Sequence, residues 1–291
     1  MKYIILGIVL GIIWLIIKNA AEKKKARQLD EEKARQRAEA KARQEEIQRE
    51  VKEKLAAEKA DREAKEAARL ERQKAAGREF DASVAAIPRV PIVPEAAEIS
   101  IDKDPDFSGV KFKNITKSTN LERVSDFVVV DVETTGLNPY SAEIVQLAAV
   151  RFRALEPVSA FVSYVKPKNG IQEKAFAVNG ISEEMVKDAP EIESLIKPFR
   201  DFVGDKTPIV GHNLLFDVKF LVLSGCLSLA DPRPMYDTLE LSRKVMDSYD
   251  YKLETLCRAM LQMEPQNAHD ALADAAATGA IFRRICELRT E

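Results

Sequence analysis

The chain has 291 residues, room for one or two domains, and a formal net charge of −2. That near-balance hides an uneven distribution: residues 126–291 carry 25 acidic and 18 basic side chains, which argues against a broad basic surface gripping nucleic acid through its phosphates. The three cysteines, Cys226, Cys257 and Cys286, have neither zinc-ligand spacing nor the even number of a disulfide framework, and read as buried free thiols in a reducing compartment.

Tyr3 to Ile17 is apolar apart from Gly7 and Gly11, contains Trp14, and is flanked by Lys2 and Lys18. A full span needs about 20 apolar residues, but snorkelling lysines extend a shorter run at both ends. No small-residue cleavage site follows directly, so residues 1–19 read as an uncleaved transmembrane signal anchor. Lys18, Lys23, Lys24, Lys25 and Arg27 lie on its C-terminal side. The positive-inside rule then makes this a single-pass protein of the inner membrane, with the C-terminal domain in the cytoplasm. A cleaved signal peptide is the alternative, and the downstream positive charge opposes it.

Residues 20–79 are almost entirely Ala, Glu, Lys, Arg and Gln, and Gly77 is the first glycine or proline. Strong helix formers with acid-first pairs four apart, such as Glu31/Arg35 and Glu50/Lys54, predict a long solvated helix. Leu29, Ile47, Val51, Leu55 and Leu70 sustain no heptad seam, so a lone helical stalk or a weakly self-associating one is expected. Residues 80–125 contain Pro88, Pro91, Pro94 and Pro105 and read as an extended linker. Within it Ile99, Ile101, Phe107, Val110 and Phe112 are candidates for packing on the domain that follows.

Residues 126–291 alternate strands and helices. Phe127 to Val130 is a β-branched run of the kind buried on both faces of a sheet. Ile144–Phe152 and Ala160–Val165 follow closely enough for an antiparallel meander. Short strands are expected at Thr207–Gly211 and Met235–Asp237. Helices are expected around Phe176–Val186 and over Glu191–Val203, Asn213–Leu223, Thr238–Met246, Leu253–Met260 and His269–Leu288. The fold class is therefore α/β: a mixed sheet of about five strands flanked by helices, preceded by the transmembrane helix and the long charged helix.

Three stretches carry chemistry. In Asp131-Val132-Glu133 the two carboxylates project from the same side of a strand end, and a divalent cation is the usual compensation for their repulsion. In Gly211-His212-Asn213-Leu214-Leu215-Phe216-Asp217, Asn213 is placed as a helix N-cap and Asp217 about one turn inside. In His269-Asp270-Ala271-Leu272-Ala273-Asp274, alanines leave a slim helix that can approach a neighbour. His269 and Asp274 stand about 140° apart on an ideal helix, so both reach one site only if His269 lies at or before the helix start. Of the two histidines, His212 reads as structural and His269 as the candidate general base.

These motifs, in this order, resemble those of the DnaQ-like DEDDh 3′–5′ exonucleases, a family that includes the proofreading subunit of bacterial replicative DNA polymerase. Val178-Asn179-Gly180-Ile181 and Tyr251-Lys252-Leu253-Glu254-Thr255-Leu256-Cys257 add to the resemblance, which covers about residues 126–286. It implies an RNase H-like fold, with Asp131, Glu133, Asp217 and Asp274 binding two Mg²⁺ or Mn²⁺ ions and His269 taking a proton from the attacking water. It further implies that Thr134, Thr135, Gly136, Leu137, Asn213 and Phe216 hold the terminal nucleotide. The products would be nucleoside 5′-monophosphates, released from single-stranded 3′ ends of DNA or RNA, with no small-molecule cofactor. An exoribonuclease on short RNA is the alternative within the same chemistry. A membrane-anchored nucleic-acid-binding scaffold is the alternative outside it, and its signature, a missing carboxylate or histidine, is not found in the motifs.

Overall fold

The computed structural model of the chain describes residues 2–95, 101–102 and 104–290. It divides into two compact units, Met1–Ala68 and Arg69–Glu291. Helix α1 spans Lys2–Ala86.

The described residues of the first unit are helical, and from Gly7 onward their side chains are exposed. Ion pairs form along it at Arg35–Glu39 (3.0 Å), Lys41–Glu45 (3.8 Å), Lys59–Glu63 (3.7 Å) and Asp61–Lys65 (2.7 Å). Three of these four put the base first, and exposed pairs of this kind contribute about 0.3–0.5 kcal/mol each. Among the described residues no helix is long and apolar enough to cross a membrane. This departs from the transmembrane helix expected within residues 1–19. Gly7 to Ile17, the part of the run whose side chains are described, rises only about 16 Å before Lys18, against a hydrocarbon core of ~30 Å. The side chains of residues 1–6, which carry the rest of the expected segment, lie outside those described.

In the second unit the end of α1 is part of the core. Phe80, Val84 and Ile87 pack with residues of the sheet and of the last helix. Gly77 is required there, because a Cβ would lie 1.9 Å from the Glu264 carbonyl oxygen, and Glu264 N–H donates to Gln73 O at 3.0 Å. The helix runs past the expected end at 79 because nothing interrupts it before Pro88. Residues 88–90 then join the sheet edge, where Ala160 N–H donates to Pro88 O and Val90 N–H to Ala160 O (2.8 and 2.9 Å). Ile101, Phe107, Val110 and Phe112 pack on the opposite sheet face. Ile99 lies outside the described residues.

The sheet contains β1 (Phe127–Thr134), β2 (Ile144–Arg153), β3 (Glu156–Tyr164), β4 (Ile209–Gly211) and β5 (Met235–Asp237), in the order β3-β2-β1-β4-β5. β1 to β3 form the antiparallel meander, while β4 and β5 run parallel to β1. This is the mixed five-stranded α/β, RNase H-like arrangement. The helices are α2 (Glu173–Asn179), α3 (Glu183–Val186), α4 (Ile192–Val203), α5 (Leu215–Leu223), α6 (Thr238–Ser242), α7 (Leu253–Leu256) and α8 (Ala271–Thr290). A π-turn over Cys257–Leu261 continues α7 and ends at Gln262 in a left-handed conformation, which replaces the single helix expected there. All three cysteines are buried thiols.

Strand β1 is central, and its alternation sorts it between two cores. Phe127 and Val129 face the layer containing α8, whereas Val128, Val130 and Val132 face α4 and α5. The parity carries Asp131 and Glu133 onto the α8 side. Helix α8 sits very close to the sheet: a Cβ on Gly279 would lie 2.1 Å from the Phe152 ring, which stacks on Phe127 at 4.7 Å. Gly279→Ala gains helix propensity but forces the stacked rings apart. We expect a net loss of about 2 kcal/mol, a fall in melting temperature of roughly 4–8 °C on thermal unfolding. An unchanged melting temperature would contradict this packing.

Candidate active site

Four segments converge at the C-terminal end of β1. Asp131 and Glu133 come from the strand, Asp217 from the first turn of α5, Asp274 from the first turn of α8, and His269 from the turn before α8. β4 pairs with β1 only at Val128 and Val129. Further along, the N–H of Val132 is taken instead by the Asp217 carboxylate, at 3.0 Å. That bond holds a buried carboxylate beside the Asp131/Glu133 strand end.

His269 meets the condition set by its five-residue separation from Asp274. It lies two residues before α8, in a left-handed conformation (φ 67°) that histidine tolerates better than most residues, and its backbone N–H donates to Asp274 Oδ2 at 3.1 Å. Among the described residues, one ligand atom each from Glu133, His269 and Asp274 lies within 4.8 Å of the others. The imidazole thus belongs to the same cluster of possible ligand atoms as the Glu133 and Asp274 carboxylates.

The electrostatics match a cation site. Burial, followed by the neighbouring charges of Asp217, Asp274, Glu133 and Asp270, pushes the Asp131 carboxyl well above its ordinary range. Burial does the same to Asp217, against the pull of its backbone hydrogen bonds. Burial raises Glu133 to about 7, partly offset by the Asn179 amide. Asp274 also rises to about 7, chiefly by burial and in part through Asp270. Crowded oxygen donors that repel one another suit a hard divalent ion such as Mg²⁺ or Mn²⁺. His212 is different: burial lowers it to about 4, and its Nδ1 lies 3.0 Å from Thr238 Oγ1. It stays neutral near pH 7.

The five residues open onto a cleft of about 710 Å³. Thr134, Gly136, Leu137, Asn213 and Phe216 line it as well. Leu137 is 85% exposed at its rim, whereas Phe216 is partly buried against Phe220, with ring centroids 5.0 Å apart. Thr135 does not line the cleft. Its side chain is buried and closes the loop after β1, with Thr135 N–H donating to Glu143 O (2.8 Å) and Glu143 N–H to Thr135 Oγ1 (2.9 Å). Asn213 is not the N-cap expected of it. It takes a left-handed conformation (φ 55°), and its N–H donates to Asp237 Oδ1 at 3.0 Å, so the helix begins after Leu214.

Two residues beside the site, Asp237 and Gln146, carry no sequence signal. Asp237 accepts both Asn213 N–H and Leu239 N–H, pinning β5 to the turn before α5. Gln146 lies opposite Glu133 in the β1–β2 ladder and bonds to the start of α8. Val178 and Leu253 add apolar walls to the cleft.

Comparison with known proteins places this geometry in context. The exonuclease family model RNase_T matches residues 128–282. The DNA polymerase III PolC-type of Caldanaerobacter subterraneus is 36% identical over 175 residues, 60% of this chain and 12% of that protein. The chain thus spans about an eighth of the length of the curated relatives it matches. Exonuclease X, solved with 5′-overhanging duplex DNA, is 28% identical with a TM-score of 0.46, covering 55% of this chain and 91% of its own. Exonuclease I of E. coli, solved with a dT13 oligonucleotide, is 25% identical with a TM-score of 0.49, covering 57% of this chain and 41% of its own.

Proposed function

Because this chain belongs to the RNase_T exonuclease family, we propose that it hydrolyses single-stranded DNA from the 3′ end, releasing nucleoside 5′-monophosphates. The observation that carries this reading is the convergence of Asp131, Glu133, Asp217, Asp274 and His269 on one cleft. Divalent ions, when bound, supply charge to steady the attacking and leaving oxygens of an in-line displacement. Asp131, Glu133, Asp217 and Asp274 hold them. His269 accepts a proton from the water that attacks the terminal phosphorus. The bond from phosphorus to the 3′-oxygen of the penultimate nucleotide breaks, and that oxygen takes a proton from solvent to become a new 3′-hydroxyl. Leu137, at the rim, wedges beside the last base, while Asn213, Phe216, Thr134 and Gly136 line the pocket for the terminal nucleotide. DNA is favoured over RNA because the polymerase relative at 36% identity is a DNA polymerase.

Attachment to a membrane through residues 3–17, with the nuclease unit on the cytoplasmic side, belongs to the same proposal. Its support is the exposed run from Ile8 to Ile17, on a helix where these side chains meet no protein core. Self-association through residues 20–79 rests on the few exposed apolar side chains of that helix.

The test of the nuclease reading uses the purified chain with Mg²⁺ and 5′-labelled single-stranded DNA and RNA oligomers. A ladder shortening from the 3′ end, faster on DNA, is expected. Release of the 5′ label as a mononucleotide before any shortening, or no shortening by a folded chain, would overturn it.

A further inference from the structure

We infer that Gln146 is a positioning residue for the metal site, acting through the N-terminus of α8. Asp270 is the N-cap of that helix: its Oδ1 accepts Ala273 N–H at 3.0 Å. Gln146 is 3% exposed and closes on the same turn with both ends of its amide. Its Oε1 accepts Ala271 N–H at 3.0 Å, and its Nε2 donates to Asp270 Oδ2 at 2.9 Å. The orientation of the amide is fixed by chemistry, since a backbone N–H can face only the oxygen.

The position of Gln146 makes the clamp functional. It stands directly across the ladder from Glu133, so the two share a face of the sheet. The clamped turn carries His269 immediately before Asp270 and Asp274 one turn after it, and Asp274 N–H donates to Asp270 O at 2.9 Å. One side chain on β2 therefore sets α8 against β1 at the point where Glu133, Asp274 and His269 must meet. The buried amide also brings an uncharged donor to Asp270, which would otherwise add an unpartnered carboxylate oxygen to an acidic cluster. Groups that hold metal ligands from behind affect metal affinity and turnover about 10–100-fold.

This inference rests on the proposed nuclease function and is tested by a charge exchange in the full chain. Gln146→Glu removes the donor to Asp270 and sets carboxylate against carboxylate. We expect kcat to fall about 10–100-fold, with KM for the oligonucleotide within about threefold, and Mn²⁺ affinity, measured by calorimetry, to weaken about tenfold. In the double variant Gln146→Glu/Asp270→Asn the donor and acceptor trade places. The amide introduced at position 270 can donate to the carboxylate introduced at position 146, while its own oxygen keeps the bond from Ala273 N–H. Ala271 N–H still finds an oxygen, so both kcat and Mn²⁺ affinity should recover to within about threefold of the parent. The inference is overturned if the single variant keeps parental kcat and Mn²⁺ affinity, or if a folded double variant is no better than the single one. If the parent chain releases no nucleotide, the nuclease reading fails, while the loss and recovery of Mn²⁺ affinity still decide the clamp.

Discussion

Asp131→Asn is expected to lower kcat by roughly a thousandfold or more while raising the melting temperature of the metal-free protein by several degrees. The two effects have one cause. Asp131 is surrounded by Asp217, Asp274, Glu133 and Asp270, and each of these neighbours raises its pKa. In the metal-free fold that charge is a burden, and an isosteric amide removes it without opening a cavity. In the proposed two-ion site the same charge would be a ligand, and nothing would replace it. Thermal unfolding with and without Mn²⁺ separates the two: the variant should melt higher without metal and gain less from adding it. A variant that melted lower in both conditions would mark Asp131 as a structural residue.

Metal-free stability should also fall as pH rises, the reverse of the usual carboxylate behaviour. An acid whose folded pKa lies above its unfolded value costs the fold nothing below the unfolded value and its full amount above the folded one. Glu133 moves from an ordinary 4.5 to about 7 and Asp274 from 3.8 to about 7. Stability should therefore decline from about pH 4 to pH 7, by several kcal/mol at about 1.4 kcal/mol per pKa unit. Asp131 and Asp217, raised in the same direction by burial, add to that decline. Mn²⁺ takes the place of those protons, so its stabilising effect should be larger at pH 8 than at pH 5.5, and its addition at pH 6 should release protons into a weakly buffered sample. A metal-free melting temperature that held level or rose from pH 5 to pH 8 would contradict the crowding of these carboxylates.

Much of this was legible in the sequence because it is local. The parity that places Asp131 and Glu133 on one side follows from strand geometry, and the meander of β1 to β3 follows from short connections. The five-residue spacing of His269 and Asp274 required a break before the helix, and the left-handed His269 supplies it. What was missed depends on tertiary contact. Gln146 sits in Ile-Val-Gln-Leu-Ala-Ala-Val, where one polar residue in an apolar strand says nothing of a helix more than a hundred residues away. Asn213 has the composition of an N-cap, but the Asp237 carboxylate claims its N–H, and the chain turns left-handed instead. The end of α1 carries charge like the rest of the stalk. Only Gly77, Phe80 and Val84 hinted that it stops being a solvated helix, and the hint becomes readable once Glu264 and the sheet are in place.

Strand hydrolysis, on this reading, depends on a two-ion site formed by four carboxylates. The most direct measurement strips the full chain with EDTA and titrates it with Mn²⁺, following bound ion and released mononucleotide in the same sample. We expect no release before metal is added, two ions bound per chain, release that rises with their occupancy, and neither full occupancy nor release in Asp274→Asn. Undiminished release in EDTA, or a folded chain that binds no Mn²⁺, would contradict it.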